Sequence, residues 1–130
     1  MTVELALEAV GQGEIVGMPT DTVYGLAIDP FNQEAVQKLY VLKGRPAGKP
    51  VGLLAASREQ AETIGEITGA ARDLADRHWP GALTLVVTPR VILSDWVGDA
   101  QRRTVGVRVP DHPVAIELLE HSGPLAVTSA

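Results

Sequence analysis

The sequence predicts an α/β (α+β) fold in which a twisted mixed sheet is flanked by helices. Three observations lead there. Segments with apolar residues at helical spacing alternate with short β-branched runs, the pattern of a layered sheet-and-helix domain. The chain has 130 residues, 45% hydrophobic and 21% charged, which suits one globular domain with its own core. No apolar stretch approaches the ~20 residues that span a bilayer. Aromatic residues make up only 4%, so alanine, valine and leucine must build that core.

The elements follow in order. Residues 3–10 read as a first helix, ended by Gly11 and Gly13. Residues 15–18 form a short apolar strand stopped by Pro19. In 33–42, Val36, Leu39 and Tyr40 recur at helical spacing. Residues 51–56 read as a buried strand. Ser57 is a helix N-cap, with Glu59 and Glu62 near the positive helix end. Residues 70–77 form another helix. The β-branched stretches 83–88 and 104–109 are strands. A helix over 112–120 and a last strand over 125–129 complete the pattern.

Composition excludes several function classes. The sequence contains no cysteine, so disulfides and thiolate metal sites are ruled out, and a reducing, cytoplasmic setting fits. The first ten residues carry Glu4 and Glu8 and lack the basic start of a secretory signal. A net charge of −5 argues against a general nucleic-acid coat protein. Yet between Glu34 and Glu59 there is no acid and there are five bases: Lys38, Lys43, Arg45, Lys49 and Arg58. Arg102, Arg103 and Arg108 form a second basic cluster. Local positive charge on an acidic protein suits a small anionic ligand; two solvated faces are the plain alternative.

The common signatures fail. Gly11-Gln12-Gly13 precedes a strand and lacks the third glycine of a dinucleotide fingerprint. Gly44 to Pro50 has three residues between its glycines, one fewer than a P-loop, and Pro50 stands where Ser or Thr would bind Mg²⁺. The three histidines form no zinc motif.

Four segments carry unusual local chemistry. PTDTVYGL (19–26) sets Thr20, Asp21, Thr22 and Tyr24 between a proline and a glycine, donors and acceptors that suit a small ligand; a turn or short helix capped by Asp21 or Thr22 is the alternative. Lys43, Arg45 and Lys49 lie within seven residues, punctuated by Gly44, Pro46 and Pro50. Arg forks onto phosphate and Lys acts as a point charge; a solvated basic loop is the alternative. Trp79-Pro80-Gly81 enters a strand, where Trp79 closes the core. In 104–110, side-chain alternation puts Thr104, Gly106 and Arg108 on one face, and Val105, Val107 and Val109 on the other. Gly106 then leaves room for a ligand between Thr104 and Arg108, unless this is an edge strand with its polar face in water.

PTDTVYGL, KGRPxxKP, WPGALT, TVGVRVPDHP and a terminal TSA, in that order, resemble the YrdC-like family of threonylcarbamoyl-AMP synthases. The resemblance covers residues 15–130. It implies a YrdC-like fold with a concave basic cavity, and a nucleotidyltransferase that joins L-threonine, bicarbonate or CO₂, and ATP into threonylcarbamoyl-AMP with release of pyrophosphate. A downstream threonylcarbamoyl transferase complex then modifies adenosine 37 of tRNA. Thr22 and Arg108 look like the threonine-binding residues; Lys43, Arg45, Lys49, Thr104 and Ser129 look like ATP contacts. Mg²⁺ is expected to travel with ATP, no residue is assigned to it although Asp21 is a carboxylate within the motif, and no general base stands out. The chain is expected to be one catalytic domain over 1–130 that stops short of the family's C-terminal end. Leu54 stands where some family members carry a histidine. Rival readings are a non-catalytic module with weak RNA binding, which the sparse aromatics disfavour, and a carbamoyl-transfer domain of the hydrogenase-maturation type, which occurs in longer chains with zinc-finger cysteines.

Overall fold

Six short strands join into one sheet in the computed structural model, which describes residues 2–44 and 51–129. The chain runs α1 (Val3–Gly11), β1 (Val16–Met18), β2 (Gly25–Ile28), α2 (Gln33–Lys43), β3 (Gly52–Leu54), α3 (Arg58–Glu62), α4 (Ala70–His78), β4 (Leu85–Val87), β5 (Val105–Arg108), α5 (Pro113–Ser122) and β6 (Leu125–Ser129). The strand order is β1-β2-β6-β3-β5-β4. β3 and β5 are parallel, and the other neighbours pair antiparallel, so the sheet is mixed. No described helix is long and apolar enough to cross a membrane.

Four of the five described helices begin where a polar side chain satisfies a free N–H group, and α4 begins at Gly69 without one. Thr2 accepts from Leu5 N at 3.2 Å, Asn32 from Ala35 N at 3.1 Å and Ser57 from Gln60 N at 3.1 Å. His112 caps α5 through Nδ1, accepting from Val114 N at 3.2 Å, and Pro113 occupies the first turn. Gly44 ends α2 in the left-handed region, at φ +58°, where glycine carries no Cβ penalty.

Alternation along the strands divides the core between two faces. Leu53, Leu85, Val87, Val105, Val107 and Ala126 pack with Val36 and Leu39 of α2, Ala61 of α3 and Ala75 of α4. On the opposite face Val16, Ala27, Leu54 and Leu125 pack with Ala6 and Val10 of α1 and Leu118 and Leu119 of α5. Each fully buried leucine contributes about 1.5–3 kcal/mol relative to exposure. On this second face α1 and α5 bury Val16, Ala27, Leu54 and Leu125, whereas Gly52, Val86 and Gly106 on β3, β4 and β5 stand outside that cluster and line a cavity.

Three expectations change. The end of PTDTVYGL is not loop: Gly25–Ile28 is an inner strand between β1 and β6. Gly25 belongs there because a Cβ would fall 2.5 Å from Val127 Cγ1. Neither Asp21 nor Thr22 caps a turn or helix; Thr20 Oγ1 does the turn's work, accepting from Thr22 N at 3.3 Å and Val23 N at 3.2 Å. Finally, 104–109 is no edge strand, since β5 lies between β3 and β4; its polar face is open because no helix covers it.

Candidate functional site

The open face forms a cavity of about 530 Å³. The register sorts its floor into three levels. Arg108 lies beside Leu54, which pairs with Leu125. One step along, Gly106 and Gly52 lie side by side on the parallel strands, flanked by Val86 on β4 and Val127 on β6. A further step brings Thr104 and Ser129 to the same end. Arg108 is therefore four residues along the strand from Thr104, roughly 13 Å at 3.3 Å per residue. The middle level is bare backbone: a Cβ on Gly52 would meet Gly106 O at 3.2 Å, and one on Gly106 would meet Thr84 Cγ2 at 3.1 Å.

At the first end, Arg108 is held from three sides. Its Nη1 donates to Asp21 Oδ1 at 2.7 Å and to Gly81 O at 3.1 Å, and its Nη2 donates to Thr22 Oγ1 at 3.3 Å. The loop before β2 and the loop after Trp79 thus converge on one guanidinium. Trp79 serves the second loop structurally: it packs against the core and its indole N–H donates to Leu83 O at 2.8 Å. Gly81 N donates to Val109 O at 2.8 Å, which docks that loop on the end of β5. Both side chains of the ion pair are largely covered, Arg108 at 12% and Asp21 at 18% exposure. Burial pushes the Asp21 carboxyl up, but the Arg108 hydrogen bond and charge, with backbone groups of Asp21 and Asp111, outweigh it and hold Asp21 below its ordinary value.

With Nη1 doubly engaged, Arg108 keeps Nε–H and one Nη2–H, two donors that suit a carboxylate. Arg108 and Thr22 line the cavity, whereas Asp21 does not. At the other end Lys43 Nζ donates to Ser129 O at 2.7 Å, bringing the C-terminus of α2 to the tip of β6. Thr104 and Ser129 both line the cavity there. Arg45 and Lys49 lie outside the described residues. Of the second basic cluster, Arg102 lines the cavity beside Asp99, its guanidinium 3.6 Å from Asp99 Oδ2. Arg103, at φ +53°, does not.

The structure therefore brings Thr22 and Arg108 together at one end of the cavity and Thr104 and Ser129 at the other, where Lys43 reaches Ser129 O without lining the cavity itself. The sequence reading missed the Asp21–Arg108 pair, which joins positions 87 apart in sequence, and the Gly81 carbonyl. It also missed Gly52, although a glycine inside an apolar strand is the same signal that pointed to Gly106. Among the described residues no group of three His, Cys, Asp or Glu could hold a metal ion.

Comparison with known proteins points to one family. The Sua5, YciO and YrdC family model, described as telomere recombination, matches residues 8–130. A relative from Mycobacterium tuberculosis is 47% identical over 126 residues, 96% of this chain and 58% of that protein. The threonylcarbamoyl-AMP synthase of Pyrococcus abyssi is 41% identical over 135 residues, 98% of this chain and 38% of that protein. The crystal structure of P. abyssi Sua5 complexed with L-threonine superposes with a TM-score of 0.90 at 38% identity, covering 98% of this chain and 38% of that one. The chain thus spans between about two-fifths and three-fifths of these relatives' length.

Proposed function

This chain belongs to the Sua5/YciO/YrdC family, and on that premise we propose that it is a nucleotidyltransferase that binds L-threonine and ATP in the open cavity and makes threonylcarbamoyl-AMP. The observation that carries the reading is the largely covered Arg108, held by Asp21, Gly81 O and Thr22 with two donors left over. Such a group suits the carboxylate of a small amino acid, and P. abyssi Sua5 has been solved with L-threonine.

In this reading the threonine carboxylate docks on Arg108, with Thr22 beside it. The bare floor at Gly52 and Gly106 lets ligand atoms approach the backbone. Thr104, Ser129 and Lys43 receive the nucleotide, joined by Arg45 and Lys49 from the basic loop. The amine of threonine attacks CO₂, from bicarbonate, and loses a proton to give a carbamate. A carbamate oxygen then attacks the α-phosphorus of ATP, the bond to the β-phosphate oxygen breaks, and pyrophosphate leaves. Such a transfer depends on positioning and charge neutralisation. Two ends about 13 Å apart along the strands suit it, since one anchors the carboxylate and the other draws the phosphates. Mg²⁺ enters with ATP as part of the substrate; Asp21 is committed to Arg108, so the ion is not assigned to it. The product would serve a threonylcarbamoyl transferase complex that modifies adenosine 37 of tRNA.

The test is pyrophosphate release from ATP with and without L-threonine and bicarbonate. Release that requires both supports the reading. Release indifferent to threonine overturns it.

A further inference from the structure

The rings of Tyr40 and Trp96 stack with centroids 4.5 Å apart and planes 19° from parallel. Tyr40 stands three residues before Lys43 in α2, so the two lie on neighbouring positions of one helix face. Trp96 belongs to the long connection between β4 and β5. It is 36% exposed and is in neither core cluster, so filling the interior does not explain it.

The segment around Trp96 also grips the start of β3. Val51 N donates to Trp96 O at 3.4 Å, and Gly98 N donates to Val51 O at 2.9 Å. Val97, buried at 4% exposure, bridges Val51 in parallel. The grip continues into the cavity wall, because Asp99 and Thr104 exchange backbone hydrogen bonds of 2.7 and 3.1 Å. One short segment therefore ties three parts of the site: the end of α2 that carries Lys43, the strand that carries Gly52, and the wall that carries Thr104.

We propose that Trp96 is a positioning residue for the nucleotide end of the cavity: through its stack on Tyr40 and its carbonyl bond to Val51, it fixes Lys43 relative to Gly52 and Thr104. Trp96 touches no substrate in this account. Without the ring, the last turn of α2 loses its outer support, and Lys43 samples positions away from Ser129. The cost falls on the phosphates and spares the carboxylate end, which Asp21 and Gly81 hold independently. The inference rests on the ATP-and-threonine reading of the cavity, and its test separates the two.

The experiment compares the full chain with its Trp96→Ala and Trp96→Phe variants. ATP and L-threonine affinities are measured by calorimetry, and amide exchange is followed at Gly44 and Gly98. Trp96→Ala should weaken ATP binding about threefold to tenfold, the range of an aromatic pair, and leave threonine affinity within about twofold. Exchange at Gly44 and Gly98 should accelerate, and Trp96→Phe should restore both measurements. If Trp96→Ala does not fold, Tyr40→Leu removes the stack from the other side with the same expected pattern. Unchanged exchange at Gly44 and Gly98, or equal losses for ATP and threonine, would overturn the proposal. If the unaltered protein binds no ATP, the reading of the cavity fails, while the exchange rates still decide whether Trp96 braces α2.

Discussion

Arg108 and Asp21 meet at 2.7 Å, yet only Arg108 lines the cavity. The carboxylate stands behind the guanidinium and aims it. The same guanidinium also holds Gly81 O and Thr22 Oγ1, so one side chain registers two loops against β5 and still offers donors to a ligand.

Removing the carboxylate should therefore cost both stability and aim. Asp21→Ala is expected to lower unfolding stability by about 1.5–3 kcal/mol, the range for hydrogen bonds to charged groups. It should also raise the KM for threonine more than the KM for ATP. Denaturant unfolding and steady-state kinetics read the two effects.

The pH dependence follows from the direction of the Asp21 shift. Its carboxyl titrates below its ordinary 3.8 in the folded chain, so the folded state favours the ionised form. That contribution to stability is fully present above pH 3.8. It is lost as pH falls from there through the lowered folded value. The stability difference between the native chain and Asp21→Asn should stay constant from neutral pH down to about pH 5 and shrink only in stronger acid. Denaturation midpoints measured across that range check it; a difference that already shrinks near neutral pH would contradict the ion pair's role.

Arg108→Lys keeps the charge but loses the planar fork. A lysine cannot serve Asp21, Gly81 O and a ligand carboxylate with the same geometry. The KM for threonine should rise about tenfold or more, equivalent to 1.4 kcal/mol or above, with a smaller change in the KM for ATP. An unchanged KM for threonine would remove Arg108 from the site.

The two floor glycines should fail differently. A methyl on Gly52 presses on backbone, Gly106 O at 3.2 Å, whereas one on Gly106 presses only on the Thr84 methyl at 3.1 Å. Gly52→Ala should therefore destabilise the fold by about 1–3 kcal/mol, as overpacking does. Gly106→Ala should melt near the native temperature, because Thr84 can rotate or yield, but lose activity as its methyl enters the cavity. Melting curves and pyrophosphate release on both variants make the comparison.

Much of this arrangement was legible in the sequence. The period-2 run at 104–109 put Thr104, Gly106 and Arg108 on one face, and the structure opens that face to the cavity. The Ser57 cap is a local signal, readable because its hydrogen bond closes within three residues. β2 was hidden because Gly25–Ile28 is only four residues long and opens on a glycine, which strand propensity disfavours. Its glycine answers to Val127, about a hundred residues away in sequence. The Asp21–Arg108 pair and the Tyr40–Trp96 stack were unreadable for the same reason: each depends on strand order and loop path, which no local pattern encodes.

The most direct test supplies ¹³C-bicarbonate, L-threonine and ATP together and follows the products by mass spectrometry. A labelled adenylate that contains threonine, one ¹³C and AMP is expected, formed only when all three substrates are present. AMP or ADP formed without threonine, or a threonine adduct lacking the label, would contradict it.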